Sequence, residues 1–219
     1  SLNTVDAYSN DLRQLSLKAT ASKTGIDWTK ISERFLENLI IELSDSHYSN
    51  TSIARKLAAL KSFFRFLHEE NIVSSNPAER LSVRRPTRSL PTSLSEQEVV
   101  RILNSASQRP GEEGFRDRAM FEITYAAGLR VSEVVGPQGL QQSSLSLDNG
   151  WIRVMGKGSK ERLAPVYPGI VELLRFYLHD IRPVLLAKSK KNVRSTSSLF
   201  INSQGSPMTR QGYWLILKK

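Results

Sequence analysis

Cysteine is absent from the 219 residues, which removes disulfides, thiolate catalysis and cysteine-ligated zinc or iron–sulfur centres together. Histidine is almost as scarce. His47, His68 and His179 lie far apart, none in a metal-type spacing and none beside clustered carboxylates, so no metal or other cofactor is expected. No apolar run approaches the roughly 20 residues that a spanning helix needs, and no basic-then-apolar leader opens the chain. The expected setting is therefore the cytoplasm, in the company of the nucleoid, with no membrane partner.

What is present is basic. Lys and Arg number 31 against 21 Asp and Glu, a formal net charge of +10, and such a field favours a polyanion, double-stranded nucleic acid first of all. A hydrophobic share of 39% is enough to bury the core of one large domain or two modest ones.

Residues 1–83 read as all-helical. Leu2, Val5, Leu12 and Leu15 share one face of a first helix, and Phe35, Leu36, Leu39, Ile40 and Leu43 mark a second. Ile53, Leu57, Leu60, Phe64 and Leu67 recur at helical intervals in a third, for which Ser49, Asn50 and Thr51 are all candidate N-caps. Its polar face carries Arg55, Lys56, Lys61 and Arg65. A basic face is usually a solvated one, but the other basic segments of this chain point it toward phosphates. Residues 84–92 hold Arg84, Arg85 and Arg88 among two prolines and no acid, a poor helix and a poor strand, and read as a linker able to lie along a DNA backbone.

The stretch 93–219 opens on a capping box, Ser95 with Glu98, ahead of Val99, Ile102 and Leu103. A helix over 115–127 places Ala119 and Ile123 inward and ends at Gly128, leaving Arg130 just beyond it with Glu133 in reach of its guanidinium. Taken alone, such a pair is most simply a surface ion pair. Residues 151–155 alternate as a strand, Gly156-Lys157-Gly158-Ser159-Lys160 make a turn, and 162–166 return, giving a hairpin with a lysine at its tip; the glycine spacing is not that of a P-loop. Beyond it the pattern predicts a helix over 169–182, a flexible loop over 187–198, a short strand at 199–201 and a last helix capped by Thr209. That helix runs to Lys219 with no stop signal, so the chain reads as cut within an element.

Four segments in order carry a resemblance: Arg116-Asp117-Arg118-Ala119, Tyr125 through Glu133, Gly156-Lys157-Gly158-Ser159-Lys160-Glu161-Arg162, and Met208-Thr209-Arg210-Gln211. With Thr4-Val5-Asp6-Ala7-Tyr8 and Asn76-Pro77 they resemble the tyrosine recombinases (phage integrases), most closely the Xer type, over nearly the whole chain. The resemblance implies a mainly α protein of two domains. Residues 1–83 would be a helical, SAM-like core-binding bundle, 84–92 a basic linker, and 93–219 a partial mixed α/β catalytic domain with a small antiparallel hairpin or sheet. It also implies cleavage and rejoining of DNA through a 3′-phosphotyrosyl link, consuming neither metal nor nucleotide. Charge grows on the non-bridging phosphate oxygens, which arginine forks neutralise, and the leaving oxygen takes a proton from a general acid. Arg130 matches the first arginine, Lys157 the general acid and Glu133 the supporting acid; Lys160 and Arg162 are the other candidates on the hairpin and read as backbone binders, as do Thr209, Arg210 and Gln211.

The family's later box, a His, an Arg three residues on and then the nucleophilic Tyr, is missing from these residues. No His follows His179, and Tyr8, Tyr48, Tyr125, Tyr167, Tyr177 and Tyr213 all lie outside the box's position. Residues 135–140 also read as looser than the family's segment leading to the hairpin. The chain is thus expected to bind DNA without cutting it, to be less stable than the whole protein and to be monomeric without DNA, where whole protomers assemble as a tetramer. Two other readings stay open: an integrase-derived DNA-binding or regulatory module, and a type IB topoisomerase.

Overall fold

The computed structural model describes residues 2–19, 27–83, 93–156, 160–188 and 196–218, with side chains in the first stretch from residue 4 to residue 17. The chain divides into two compact units, Ser1–Pro91 and Thr92–Lys219. Arg84, Arg85, Arg88 and Lys157 lie outside the described residues.

The first unit comprises α1 (Leu2–Ala19), a single 3-10 turn (Trp28–Lys30), α2 (Glu33–Asp45) and α3 (Asn50–Glu69). Serine hydroxyls start two of the helices: Ser32 accepts the Phe35 N–H at 3.2 Å, and Ser49, the one of three candidates that caps α3, accepts that of Ser52 at 3.2 Å. All five apolar residues assigned to the inner face of α3 are buried, against Leu15, Leu36, Leu39 and Leu43. Val5 is a correction, 60% exposed rather than inward. The inner face of α1 is shared by Asp11 and Leu15, one turn apart, and at about 100° per residue Val5 falls roughly a quarter turn round the helix from their midpoint, off that face.

The second unit comprises α4 (Glu96–Ser107), α5 (Gly111–Ala126), α6 (Val131–Val134), β1 (Leu145–Ser146), β2 (Trp151–Met155), β3 (Glu161–Pro165), α7 (Pro168–Phe176), a π turn (Tyr177–Ile181), α8 (Arg182–Ala187) and α9 (Arg210–Leu217). The capping box before α4 is complete: the Ser95 hydroxyl accepts the Glu98 N–H, and the Ser95 N–H donates to the Glu98 carboxylate at 2.8 Å. The Ser95 N–H and the Ser95 hydroxyl, which also donates to the carboxylate at 2.9 Å, hold the Glu98 carboxyl below its ordinary pKa. The strands run antiparallel in the order β1-β2-β3, with Ile152 opposite Ala164 and Val154 opposite Arg162, so that Ile152 and Val154 point into the core with Ile123, Ile170 and Leu174. Among the described residues no helix is long and apolar enough to cross a membrane.

Four sequence expectations need correction. β1 adds a two-residue strand with no period of its own. The helix expected to end near 182 continues through the π turn into α8; Pro183 has no N–H to give the residue four back, and the widened turn absorbs that loss. Residues 199–201 do not form a strand: isolated bridges pair Ser198 with Gln141 and Ile201 with Pro207. Side chains take two of the 199–201 carbonyls, Arg182 that of Leu199 and Arg116 that of Ile201, while the Phe200 carbonyl accepts the Met208 N–H at 3.0 Å; Arg182 also donates to the carbonyls of Thr196 and Ser198. Burial also depresses the pKa of the Arg182 guanidinium. Finally, the segment read as loose is tight. Val135 and Leu140 are each 3% exposed, and the Leu140 N–H donates to the Glu133 carbonyl at 3.0 Å.

Gly114, in the first turn of α5, has no room for a side chain, because a Cβ there would sit 2.1 Å from the Arg109 carbonyl oxygen. Backbone cannot yield as a flexible side chain does. Gly114→Ala is expected to cost about 3 kcal/mol or more, read as a lower denaturant midpoint; an unchanged midpoint would show that residues 109–114 rearrange freely.

Candidate functional site

Gly128, at φ +57, adopts the left-handed conformation that stops α5. Leu129 then plugs the core, and Arg130 follows in extended conformation as the first residue of the turn into α6, its side chain 73% exposed. Glu133 lies one turn on and is 4% exposed. One carboxylate oxygen accepts the Arg130 backbone N–H at 2.8 Å and the other accepts Arg130 Nη1 at 3.0 Å, so main chain and guanidinium are held by the same buried acid.

A second guanidinium shares that acid. Arg162 Nη2 and Nη1 donate to the two Glu133 oxygens at 3.1 and 3.3 Å, and Nη2 also reaches the Gly128 carbonyl at 3.5 Å. The cause is the period of the strand: within β3, Arg162 and Ala164 face inward while Glu161, Leu163 and Pro165 face out. That alternation is legible in the sequence once the strand is known to start at Glu161. Lys160 is exposed at the mouth of the hairpin, where its carbonyl accepts the Gly156 N–H at 2.8 Å.

The start of α9 lies beside this turn. The Gly136 N–H donates to the Met208 carbonyl at 3.1 Å, and a Cβ at Gly136 would touch Arg210 Cγ at 3.8 Å. Arg210 and Gln211 are exposed. Thr209 is exposed too, and its hydroxyl is committed to the cap of α9, accepting the Gly212 N–H at 3.0 Å.

In the first unit, Arg65 is exposed, Lys61 donates to the Glu79 carbonyl at 3.0 Å, and Arg55 is half exposed beside Asp11. Lys56 does not belong with them. It is 2% exposed, donating to Asp11 at 3.0 Å and to Gln14 at 2.6 Å, and is corrected here from a surface cation to a buried one. A buried acid on α1 draws it in, since neither charge could be buried alone.

Two of the tyrosines are structural. Tyr177 is fully buried, its hydroxyl donating to the Leu199 carbonyl at 3.2 Å and its pKa pushed up to about 12 by burial. The Tyr213 hydroxyl, raised by the same cause, pairs with Thr124 at 3.1 Å. Among the described residues, no three His, Asp or Glu side chains gather as a metal ion requires.

Comparison with known proteins gives a consistent result. Residues 92–219 match the phage integrase family, and residues 1–71 match the phage integrase N-terminal SAM-like domain. The chain is 35% identical to tyrosine recombinase XerC of Roseiflexus castenholzii, across 100% of this chain and 68% of that protein. With tyrosine recombinase XerD of Vibrio cholerae it shares 38% identity, covering 99% and 68% respectively. Its fold is similar to that of the Tn1549 transposon integrase, solved with a circular intermediate DNA, at a TM-score of 0.67 and 15% identity over 96% of this chain and 74% of that one. It is also similar to that of the XerH site-specific recombinase, solved on its difH substrate, at a TM-score of 0.62 and 22% identity over 95% and 58%.

Proposed function

Because the chain belongs to the phage integrase family of tyrosine recombinases, we propose that it binds double-stranded DNA and carries the phosphate-activating half of a site for strand cleavage and rejoining. One observation carries the reading: an arginine left 73% exposed while a buried glutamate holds both its backbone and its guanidinium. A cation restrained on one side and open on the other suits a phosphate. In the reaction, a tyrosine oxygen attacks the scissile phosphorus and forms the phosphotyrosyl bond while the bond to the 5′ oxygen breaks. Arg130 holds two non-bridging oxygens as their charge grows, and Lys157 gives its proton to the leaving oxygen. Names of relatives and of fold neighbours solved on DNA support the assignment.

Around this centre, Lys160, Arg210 and Gln211 serve as backbone contacts of a catalytic domain over 93–219. Arg55, Lys61 and Arg65 do so on a core-binding domain over 1–83, and Arg84, Arg85 and Arg88 on the linker 84–92 between them. The protein works at the nucleoid, and whole protomers assemble on DNA. With no His-x-x-Arg box and no tyrosine after one, these 219 residues bind without cutting; a covalent adduct of this chain on DNA would overturn that. They are monomeric without DNA, against which light scattering showing a stable tetramer would count.

The direct test is affinity for a random-sequence duplex across a salt series. Arg130→Ala is expected to weaken binding about tenfold and to flatten the log–log salt slope by about 0.9, one phosphate contact. Unchanged affinity and slope would sink the role given to Arg130.

A further inference from the structure

We propose that Arg162 is a positioning residue that acts on phosphate only through Glu133 and Arg130, by aiming Arg130 and restoring the charge that Glu133 would cancel. The inference rests on the reading of Arg130 as a phosphate ligand, and it removes Arg162 from the set of backbone contacts.

Charge is the first argument. Arg130 and Glu133 alone sum to zero, so a phosphate approaching the exposed face of Arg130 would meet a neutralised pair. Adding the Arg162 guanidinium, 3.1 and 3.3 Å from the same two carboxylate oxygens, returns the cluster to a net charge of +1. The second argument is layering. Side-chain exposure falls from 73% at Arg130 to 39% at Arg162 and 4% at Glu133, so the outermost group is Arg130 and the acid is clamped behind it. The third is reach. Arg162 touches the carbonyl of Gly128 and the carboxylate of Glu133, bracketing the short turn that presents Arg130. A guanidinium engaged on both carboxylate oxygens and a carbonyl has most of its donors spent, whereas only one Arg130 Nη is held by Glu133. The tie also fastens β3 to the turn carrying Arg130.

The test is a double-mutant cycle on duplex binding by the full chain, with a side-chain spectrum of the free protein beside it. Arg162→Leu is expected to weaken binding about tenfold in the wild-type background and about threefold or less in Arg130→Ala, where no guanidinium is left to aim and only the bare Glu133 charge is felt. In the free protein it should also remove the restrained Arg130 Nη–H resonance, which a general loss of stability without unfolding would not do. Arg162→Lys keeps the charge without the fork; it is expected to recover part of the affinity while leaving that resonance averaged, and it serves if the leucine variant fails to fold. Equal losses in both backgrounds would overturn the inference and make Arg162 a phosphate ligand itself. So would a restrained Arg130 resonance in Arg162→Leu. A wild-type affinity indifferent to Arg130→Ala would instead bring down the reading of Arg130 beneath it, with the Nη–H resonance still reporting on positioning.

Discussion

Asp11→Ala is expected to cost the N-terminal unit about 3–5 kcal/mol, enough to consume much of the stability of a domain of this size. Asp11 is 1% exposed on the inner face of α1, and it answers Lys56, 2% exposed on α3, at 3.0 Å. Without the carboxylate, Lys56 keeps only Gln14 at 2.6 Å and the Tyr48 ring 5.4 Å away, neither of which carries a full negative charge. A buried ammonium left in that state must drag its helix toward water. Arg55 also pairs with Asp11, but its side chain is 51% exposed, so Arg55→Ala should cost about 1 kcal/mol or less. The pair Asp11→Leu with Lys56→Met should recover most of the loss, because two apolar groups of similar volume need no partner. Urea unfolding of the full chain checks all three; a small loss for Asp11→Ala, or no recovery in the double variant, would mean that Lys56 reaches solvent easily.

The second large effect is expected at Asp117. Arg116, 3% exposed, places Nε and Nη2 on one Asp117 oxygen at 2.9 and 2.6 Å, while Arg109 Nη1 holds the other at 3.2 Å. The same guanidiniums reach out to distant backbone, Arg116 to the Ile201 carbonyl at 3.3 Å and Arg109 to that of Ile216 at 3.2 Å. Asp117 therefore orients two arginines that tie α5 to the segment before α9 and to the last turn of α9. Asp117→Ala leaves Arg116 buried with one carbonyl, at a cost of about 3–5 kcal/mol, a fall in Tm of roughly 6–20 °C for a chain of this length. Asp117→Asn, which keeps one acceptor oxygen but loses the charge and sets an NH2 against one of the two guanidiniums, should fall between. A shift of a degree or two in the alanine variant would show that Arg116 finds water or another acid.

Arg116-Asp117 illustrates what a motif conveys. As part of an ordered set of segments it helped to identify the family, yet its geometry is that of a buried brace, not of a reacting group. Arg162 shows the opposite case: a cation in a basic hairpin reads from sequence as a backbone binder, and the inward step of the strand brings it to Glu133. Lys56 is a second such case, since a helical face looks basic until a buried acid claims one of its members.

Features set by neighbouring residues could be read without coordinates. The period of α3, the capping box at Ser95, the left-handed stop at Gly128, the Thr209 cap and the hairpin around 151–165 each depend on bonds within a few residues, so local spacing determines them. The assignment of charges to partners could not be read that way. Asp11 meets Lys56 across 45 positions, Glu133 meets Arg162 across 29, and Arg116 finds the Ile201 carbonyl across 85. Every basic side chain is an equal claimant on every acid in an unfolded chain. Only the packed chain, by deciding which ions lose their water, turns the net charge of +10 into an exposed Arg130 and a buried Lys56.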